Sequence, residues 1–247
     1  MIYCKSWSEL QTMNRCNAVV LDILNRLRET VAPGITTSDL DRLAHEWTLE
    51  AGAMPAFKGY RGYPATLCTS VNEQIVHGIP GPHHLEEGDI IGLDMGVVID
   101  GYFGDAAATF PVGKVSEEAR RLMEVTEKAL SKGIEQVIVG HRVSDIGHAV
   151  SGFVLPCGYS LVRDFTGHGI GRALHEDPQV HNYGDPGHGP RLTEGMVLAI
   201  EPMVCAGSHE VVMADDRWTA STADGSLSAH FERSVAVTAK GPWILGN

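Results

Sequence analysis

The sequence predicts an α+β domain of two pseudo-symmetric halves, in which helices cover a curved antiparallel sheet. Three matches within the chain predict it. Leu85-Glu-Glu-Gly-Asp-Ile-Ile-Gly-Leu-Asp94 aligns without gaps on Leu192-Thr-Glu-Gly-Met-Val-Leu-Ala-Ile-Glu201, so that a carboxylate lands on a carboxylate. Ser38-Asp39-Leu40 matches Ser144-Asp145-Ile146, and His77-Gly-Ile matches His168-Gly-Ile, in the same order along the chain. The first two matches are offset by 107 and 106 residues and the third by 91. Extra residues before His77 and after His168 explain the shorter offset. The expectation is one domain, 1–247, whose halves run roughly over 8–112 and 116–240.

Each half should run helix, helix, strands. Apolar residues at Leu10, Met13, Val20, Ile23, Leu24 and Leu27 recur at helical spacing and predict a helix from Ser8 to Val31. Pro33-Gly34 ends it, and Thr36 or Thr37 can cap a second helix that stops before Gly52. Ser116 to Val139 and Ser144 to Leu155 supply the second pair, with Ser116 and Ser144 as candidate caps.

The strands carry the acidic residues. Asp94 ends the run Ile90-Ile91-Gly-Leu93, and Asp105 follows the turn signal Asp100-Gly101, which predicts a hairpin. A turn at 100–101 puts residue 107 opposite residue 94. Asp105 then lies diagonal to Asp94 and, because side chains alternate with period two, on the same face. In the second half Glu201 ends Val197-Leu198-Ala199-Ile200, and Glu232 begins the strand that contains Val235-Ala-Val237. Four carboxylates at strand positions repel one another and resist burial unless a cation sits among them. His168, between glycines in Gly167-His-Gly-Ile-Gly171, adds a nitrogen donor. A mixed carboxylate and imidazole set suits Mn, Fe, Co or Zn.

Composition narrows the class. The chain has 247 residues, enough to bury a full core, and 43% of them are hydrophobic. A formal net charge of −12 argues against nucleic-acid binding, which needs clustered Lys and Arg, so DNA is not an expected partner. The five scattered cysteines form no CxxC pair, as expected of reduced thiols. No signal-peptide run opens the chain and no apolar stretch is long enough to cross a membrane, so the expected location is cytoplasmic.

With these residues in view the chain resembles the type I methionine aminopeptidases of the pita-bread fold, over nearly its whole length. The resemblance rests on Asn72-Glu73, His77-Gly-Ile-Pro80, Asp94 with Asp105 eleven residues on, and Gly167-His-Gly-Ile-Gly-Arg172. It continues through His175-Glu-Asp-Pro178, Ile200-Glu-Pro-Met203, Trp218-Thr219 and Leu227-Ser-Ala-His-Phe-Glu232. It implies two divalent ions held by Asp94, Asp105, His168, Glu201 and Glu232, with a hydroxide that bridges them attacking the scissile carbonyl. It further implies that Glu201 carries the proton to the leaving amine, that His77 contacts the scissile amide, and that His175 steadies the carbonyl oxygen. By the same resemblance Tyr60, Tyr63, Cys68 and Trp218 line a methionine pocket, with Leu174 at a position where phenylalanine is common.

The implied substrates are N-terminal methionyl peptides and nascent chains with a small second residue. A monomer with at most transient contact with the ribosome completes the expectation. Three further departures accompany Leu174: His230 stands where glutamine is usual, Arg233-Ser234 where His-Thr is common, and Met95-Gly96 where a threonine often lies near the metals. None removes a ligand. The rival readings are a proline-specific aminopeptidase or dipeptidase on the same fold and a non-catalytic, peptide-binding relative. The first usually carries an extra N-terminal domain, and the second would be expected to have lost ligands.

Overall fold

Helices form where the apolar spacing and the caps place them. The computed structural model describes residues 1–247. Helix α1 spans Trp7–Thr30 and α2 spans Thr37–Glu50. Each starts at a capping box: Ser6 with Glu9, and Thr36, the first of the two candidate threonines, with Asp39. Leu10, Met13, Val20, Ile23, Leu24 and Leu27 are all buried along one face of α1. Each such aliphatic side chain contributes about 1.5–3 kcal/mol relative to exposure.

In the second half α3 spans Glu117–Ile134, capped by Ser116, and α4 spans Val143–Val154. Two expectations need correction here. The third helix stops at Ile134, short of Val139, because Gln136 and Val137 donate to the carbonyls of Gly133 and Ile134 in tighter i→i−3 turns. The fourth is capped at Arg142 and not at Ser144: Asp145 Oδ2 accepts from the Arg142 amide at 2.7 Å, and Ser144 Oγ is already taken by the His188 amide at 2.8 Å.

Fifteen strands follow in chain order. In the first half they are β1 (Met54–Pro55), β2 (Leu67–Val71), β3 (Gln74–Val76), β4 (Ile90–Ile99) and β5 (Tyr102–Pro111). Then come β6 (Ser160–Leu161), β7 (Gly167–Gly169), β8 (Glu176–Val180), β9 (Val197–Ile200) and β10 (Met203–Cys205). The last are β11 (Val211–Met213), β12 (Ala220–Thr222), β13 (Ser228–His230), β14 (Glu232–Thr238) and β15 (Gly241–Ile244).

The main sheet has nine strands in the order β1-β4-β5-β14-β9-β7-β8, with β2 on β4 and β15 on β14. Its ladders are all antiparallel. Two three-stranded sheets, β13-β10-β6 and β11-β12-β3, flank it. Helices α1 and α2 pack with the first-half strands around Leu67, Leu93 and Met95, and α3 and α4 cover Leu198, Ile200 and Val235. This is the curled, helix-covered antiparallel sheet of the pita-bread fold. Its helix-free face carries the site.

Candidate active site

Strand register builds a row of acids across the sheet. Asp94 on β4 stands opposite Ala107 on β5, and Ala107 stands opposite Glu232 on β14. Ile200 closes β9 opposite Arg233, so Glu201, the next residue, arrives at the level of Glu232. Paired residues of an antiparallel ladder share a face, as do residues two apart on a strand. Asp105 therefore joins Asp94 and Glu232 there. Between Asp94 and Glu232 the row is continued by Ala107, whose side chain is a single methyl group.

His168 enters from the far side on β7, paired with Ala199. Its flanking glycines are sterically required. A Cβ at Gly167 would meet the Ala199 carbonyl oxygen at 2.4 Å, and one at Gly169 the Asp177 carbonyl oxygen at 2.1 Å. The imidazole Nδ1 lies 2.9 Å from the Gly169 carbonyl oxygen, which can only accept. The proton therefore sits on Nδ1, and Nε2 turns its lone pair toward the acids.

The arrangement asks for cations. Asp105, His168 and Glu232 each present a ligand atom within 4.8 Å of the others. His168 Nε2 stands 3.5 Å from Glu201 Oε1 and 4.0 Å from Asp105 Oδ2. These separations are too long for good hydrogen bonds but fit atoms that share an ion at about 2.1 Å each. Asp94 Oδ1, Asp105 Oδ1 and Glu232 Oε1 are buried without any hydrogen-bond partner. Burial pushes the Asp94 carboxyl up to about 7 and that of Glu201 up to about 8. Burial, and then repulsion from their acidic neighbours, holds Asp105 and Glu232 well above the usual carboxylate range. Burial lowers His168 to about 3, so it is a neutral donor. Orphaned oxygens, mutual repulsion and one aimed imidazole nitrogen fit divalent ions bound by oxygen and nitrogen.

The acids floor a cavity of about 160 Å³. All twelve residues assigned above to metal or substrate line it: the five acid and imidazole donors together with His77, His175, Tyr60, Tyr63, Cys68, Leu174 and Trp218. His77 follows β3 with φ of +62°, a left-handed conformation uncommon for histidine. Its ring meets Phe165 edge-on at 5.3 Å and Trp218 at 6.3 Å. Gly78 next to it has no room for a Cβ, since Thr69 O lies 2.1 Å from that point. Tyr63 donates its hydroxyl to the carbonyls of Leu67 and Gly78 and stands edge-on to Trp218 at 5.1 Å. Cys68, opposite Asp94 in the β2–β4 ladder, is a buried thiol that burial keeps protonated. At the mouth Tyr60 meets His175 Nδ1 at 2.9 Å, and the His175 ring lies 4.2 Å from that of His168.

Several contributors were not read from the sequence. Phe57 and Arg61 also line the cavity, and Phe165 backs His77. His230, already noted as standing where glutamine is usual, is buried and does not line the cavity, but its Nε2 has no hydrogen-bond partner and lies 3.6 Å from Glu201 Oε2. Asn17, buried in α1, accepts from the Asp105 amide at 3.3 Å and so ties that strand to the helix layer. Arg61 lies between Tyr60 and Tyr63, and the resemblance assigns a role only to the two tyrosines. Asn17 carries no local signal at all, being one polar residue on an apolar helix face.

Known proteins match both the sequence and the geometry. The profile of metallopeptidase family M24 matches residues 11–239. A methionine aminopeptidase of Clostridium acetobutylicum is 50% identical over 99% of this chain and 98% of its own. A crystal structure of the methionine aminopeptidase from Rickettsia prowazekii superposes with a TM-score of 0.99 at 39% identity, covering 100% of both chains. The prolidase of Pyrococcus furiosus has a TM-score of 0.78 at 20% identity, covering 99% of this chain and 65% of its own, and shares the fold alone. The chain belongs to metallopeptidase family M24 and, within it, to the methionine aminopeptidases.

Proposed function

We propose that this chain is a metal-dependent hydrolase that releases the N-terminal methionine of peptides and nascent chains whose second residue is small. The observation that carries the reading is the row of buried carboxylates with orphaned oxygens on the floor of an apolar-walled cavity. Asp94, Asp105, His168, Glu201 and Glu232 would hold two divalent ions, with Co, Mn, Fe or Zn the candidates. Ions bound there supply Lewis acidity and bring the ionisation of water near neutral pH.

The remaining chemistry belongs to the protein. Glu201, at the end of the row of acids beside His168, takes a proton from attacking water and delivers it to the departing amine as the carbon–nitrogen bond breaks. His77, lowered to about 4 by burial, stays neutral and can hydrogen-bond the scissile amide. His175, at the mouth and braced by Tyr60, is positioned to donate to the carbonyl oxygen as charge develops on it. Tyr63, Cys68, Leu174 and Trp218 surround the methionine side chain with apolar and polarisable groups.

The reading extends to organisation. It takes residues 1–247 as one catalytic domain whose halves, 8–112 and 116–240, each contribute two acids. The five free cysteines agree with a cytoplasmic protein. No helix is long and apolar enough to cross a membrane. A monomer acting on nascent chains, with at most transient contact with the ribosome, is the partner arrangement proposed. The test is methionine release from Met-Ala-Ser and Met-Lys-Ser peptides after chelation and after return of each metal. Metal-dependent cleavage of the first peptide and not the second supports the reading. Equal cleavage of both, or cleavage that survives chelation, contradicts it.

A further inference from the structure

A buried ion pair outside the cavity braces the loop that carries two of its walls. Lys5, in the segment before α1, places Nζ 2.6 Å from Glu176 Oε2. The side chains are only 6% and 10% exposed. The other carboxylate oxygen, Oε1, accepts from the amides of Arg172 at 2.8 Å and Ala173 at 3.3 Å. Gly171 donates to the Ala173 carbonyl and accepts from Phe103 on β5, which closes the loop against the strand that bears Asp105. Leu174 and His175 project from this loop into the cavity.

Lys5 is itself fixed. Its amide donates to the Gly195 carbonyl at 2.7 Å. Its stem fills the space beside Gly171, where a Cβ would meet Lys5 Cε at 2.4 Å and Glu176 Oε1 at 2.7 Å. A buried pair of this kind adds little net stability over apolar packing of the same shape, but losing one partner strands the other charge. The position of Glu176, and with it the loop, therefore depends on the ammonium opposite.

We propose that Lys5 is a positioning residue for the reaction: by pairing with Glu176 it sets the Gly171–His175 loop so that His175 and Leu174 face the substrate. This rests on the function proposed above. Lys5→Met keeps the stem and removes the charge. Measured where the variant is folded, it should lower kcat/KM for Met-Ala-Ser about 10- to 100-fold, with wild-type metal content by elemental analysis. The His175 ring and Leu174 methyl resonances of the zinc-loaded protein should move, while those of His84, which bonds the Gly34 carbonyl outside the cavity, should not. In the double variant Lys5→Met, Glu176→Gln no charge is stranded and the amide oxygen still accepts from residues 172 and 173. Most of the lost activity should return. Wild-type kinetics and resonances in Lys5→Met, with only the melting temperature lowered, would make the pair a structural staple and overturn the proposal. A double variant no more active than Lys5→Met would overturn it as well. Wild-type protein that fails to process Met-Ala-Ser would instead sink the proposed function, and the resonances would still test the loop.

Discussion

The two halves deliver their acids by different routes. Asp94 and Asp105 come from one hairpin, β4 and β5, closed by the Asp100-Gly101 turn and in register from Ile90↔Pro111 to Ile99↔Tyr102. Glu201 follows β9 and Glu232 begins β14, strands paired from Ile200↔Arg233 to Val197↔Ala236 but separated in the chain by β10 to β13. Local closure costs little loop entropy, whereas the second pair forms only when a long connection folds. The hairpin geometry can accordingly be derived from a turn and a period, and the second pair only from the completed sheet.

Removing one acid from either half should have the largest effect. Asp105→Asn should lower kcat about 10³-fold or more, because a neutral amide cannot offset the charge of ions worth several kcal/mol in the transition state. Glu232→Gln should do the same despite its different origin. A large loss in one with near wild-type turnover and metal content in the other would break the symmetry of the two acids.

His77→Ala tests the wall against the floor. It should lower kcat about 10²–10³-fold through lost transition-state hydrogen bonding, with metal content unchanged. Metal loss, measured by calorimetry, would move His77 from substrate contact to ligand.

The cluster should also govern stability when the ions are stripped. Asp94 and Glu201 are raised to about 7 and about 8, above their unfolded values, so the folded metal-free state binds more protons than the unfolded one. Stability is then fully present below the unfolded pKa values, near 4, and is lost as pH rises through about 7 to 8. Chelated protein should unfold at lower denaturant at pH 8.5 than at pH 5.5, and added Mn should reverse the order. A flat or rising trend for the chelated protein would mean that the acids are not the repelling set described.

What was legible in the sequence follows the same division. The caps at Ser6, Thr36 and Ser116 obey local chemistry, although only the last two were expected as such. Asp100-Gly101 places the hairpin register, so Asp94 and Asp105 share a face by counting alone. The matched segments single out Glu201, but nothing local states that Ala107 stands between Asp94 and Glu232 in the row. Ser144 failed as a cap because its hydroxyl meets His188, forty-four residues away. Phe57, Arg61 and Asn17 lacked any periodic or motif signal and acquire a role only through tertiary neighbours.

The smallest expected effect concerns the pocket. Leu174→Phe should raise the preference for Met-Ala-Ser over norleucine-Ala-Ser, since a sulfur–aromatic contact of about 0.3–1.5 kcal/mol favours the thioether alone. A ratio of kcat/KM values that stays flat or falls would show that Tyr63 and Trp218 already set the selectivity.

If acids from both halves hold the ions that drive methionine release, ion binding and catalysis must rise together in a single titration. Chelated protein is titrated with Mn while bound metal and free methionine from Met-Ala-Ser are followed together. The account predicts that activity rises with occupancy, that two ions bind per chain, and that neither Asp105→Asn nor Glu232→Gln reaches the wild-type plateau. Full methionine release before any ion binds, or wild-type titration of both variants, would contradict it.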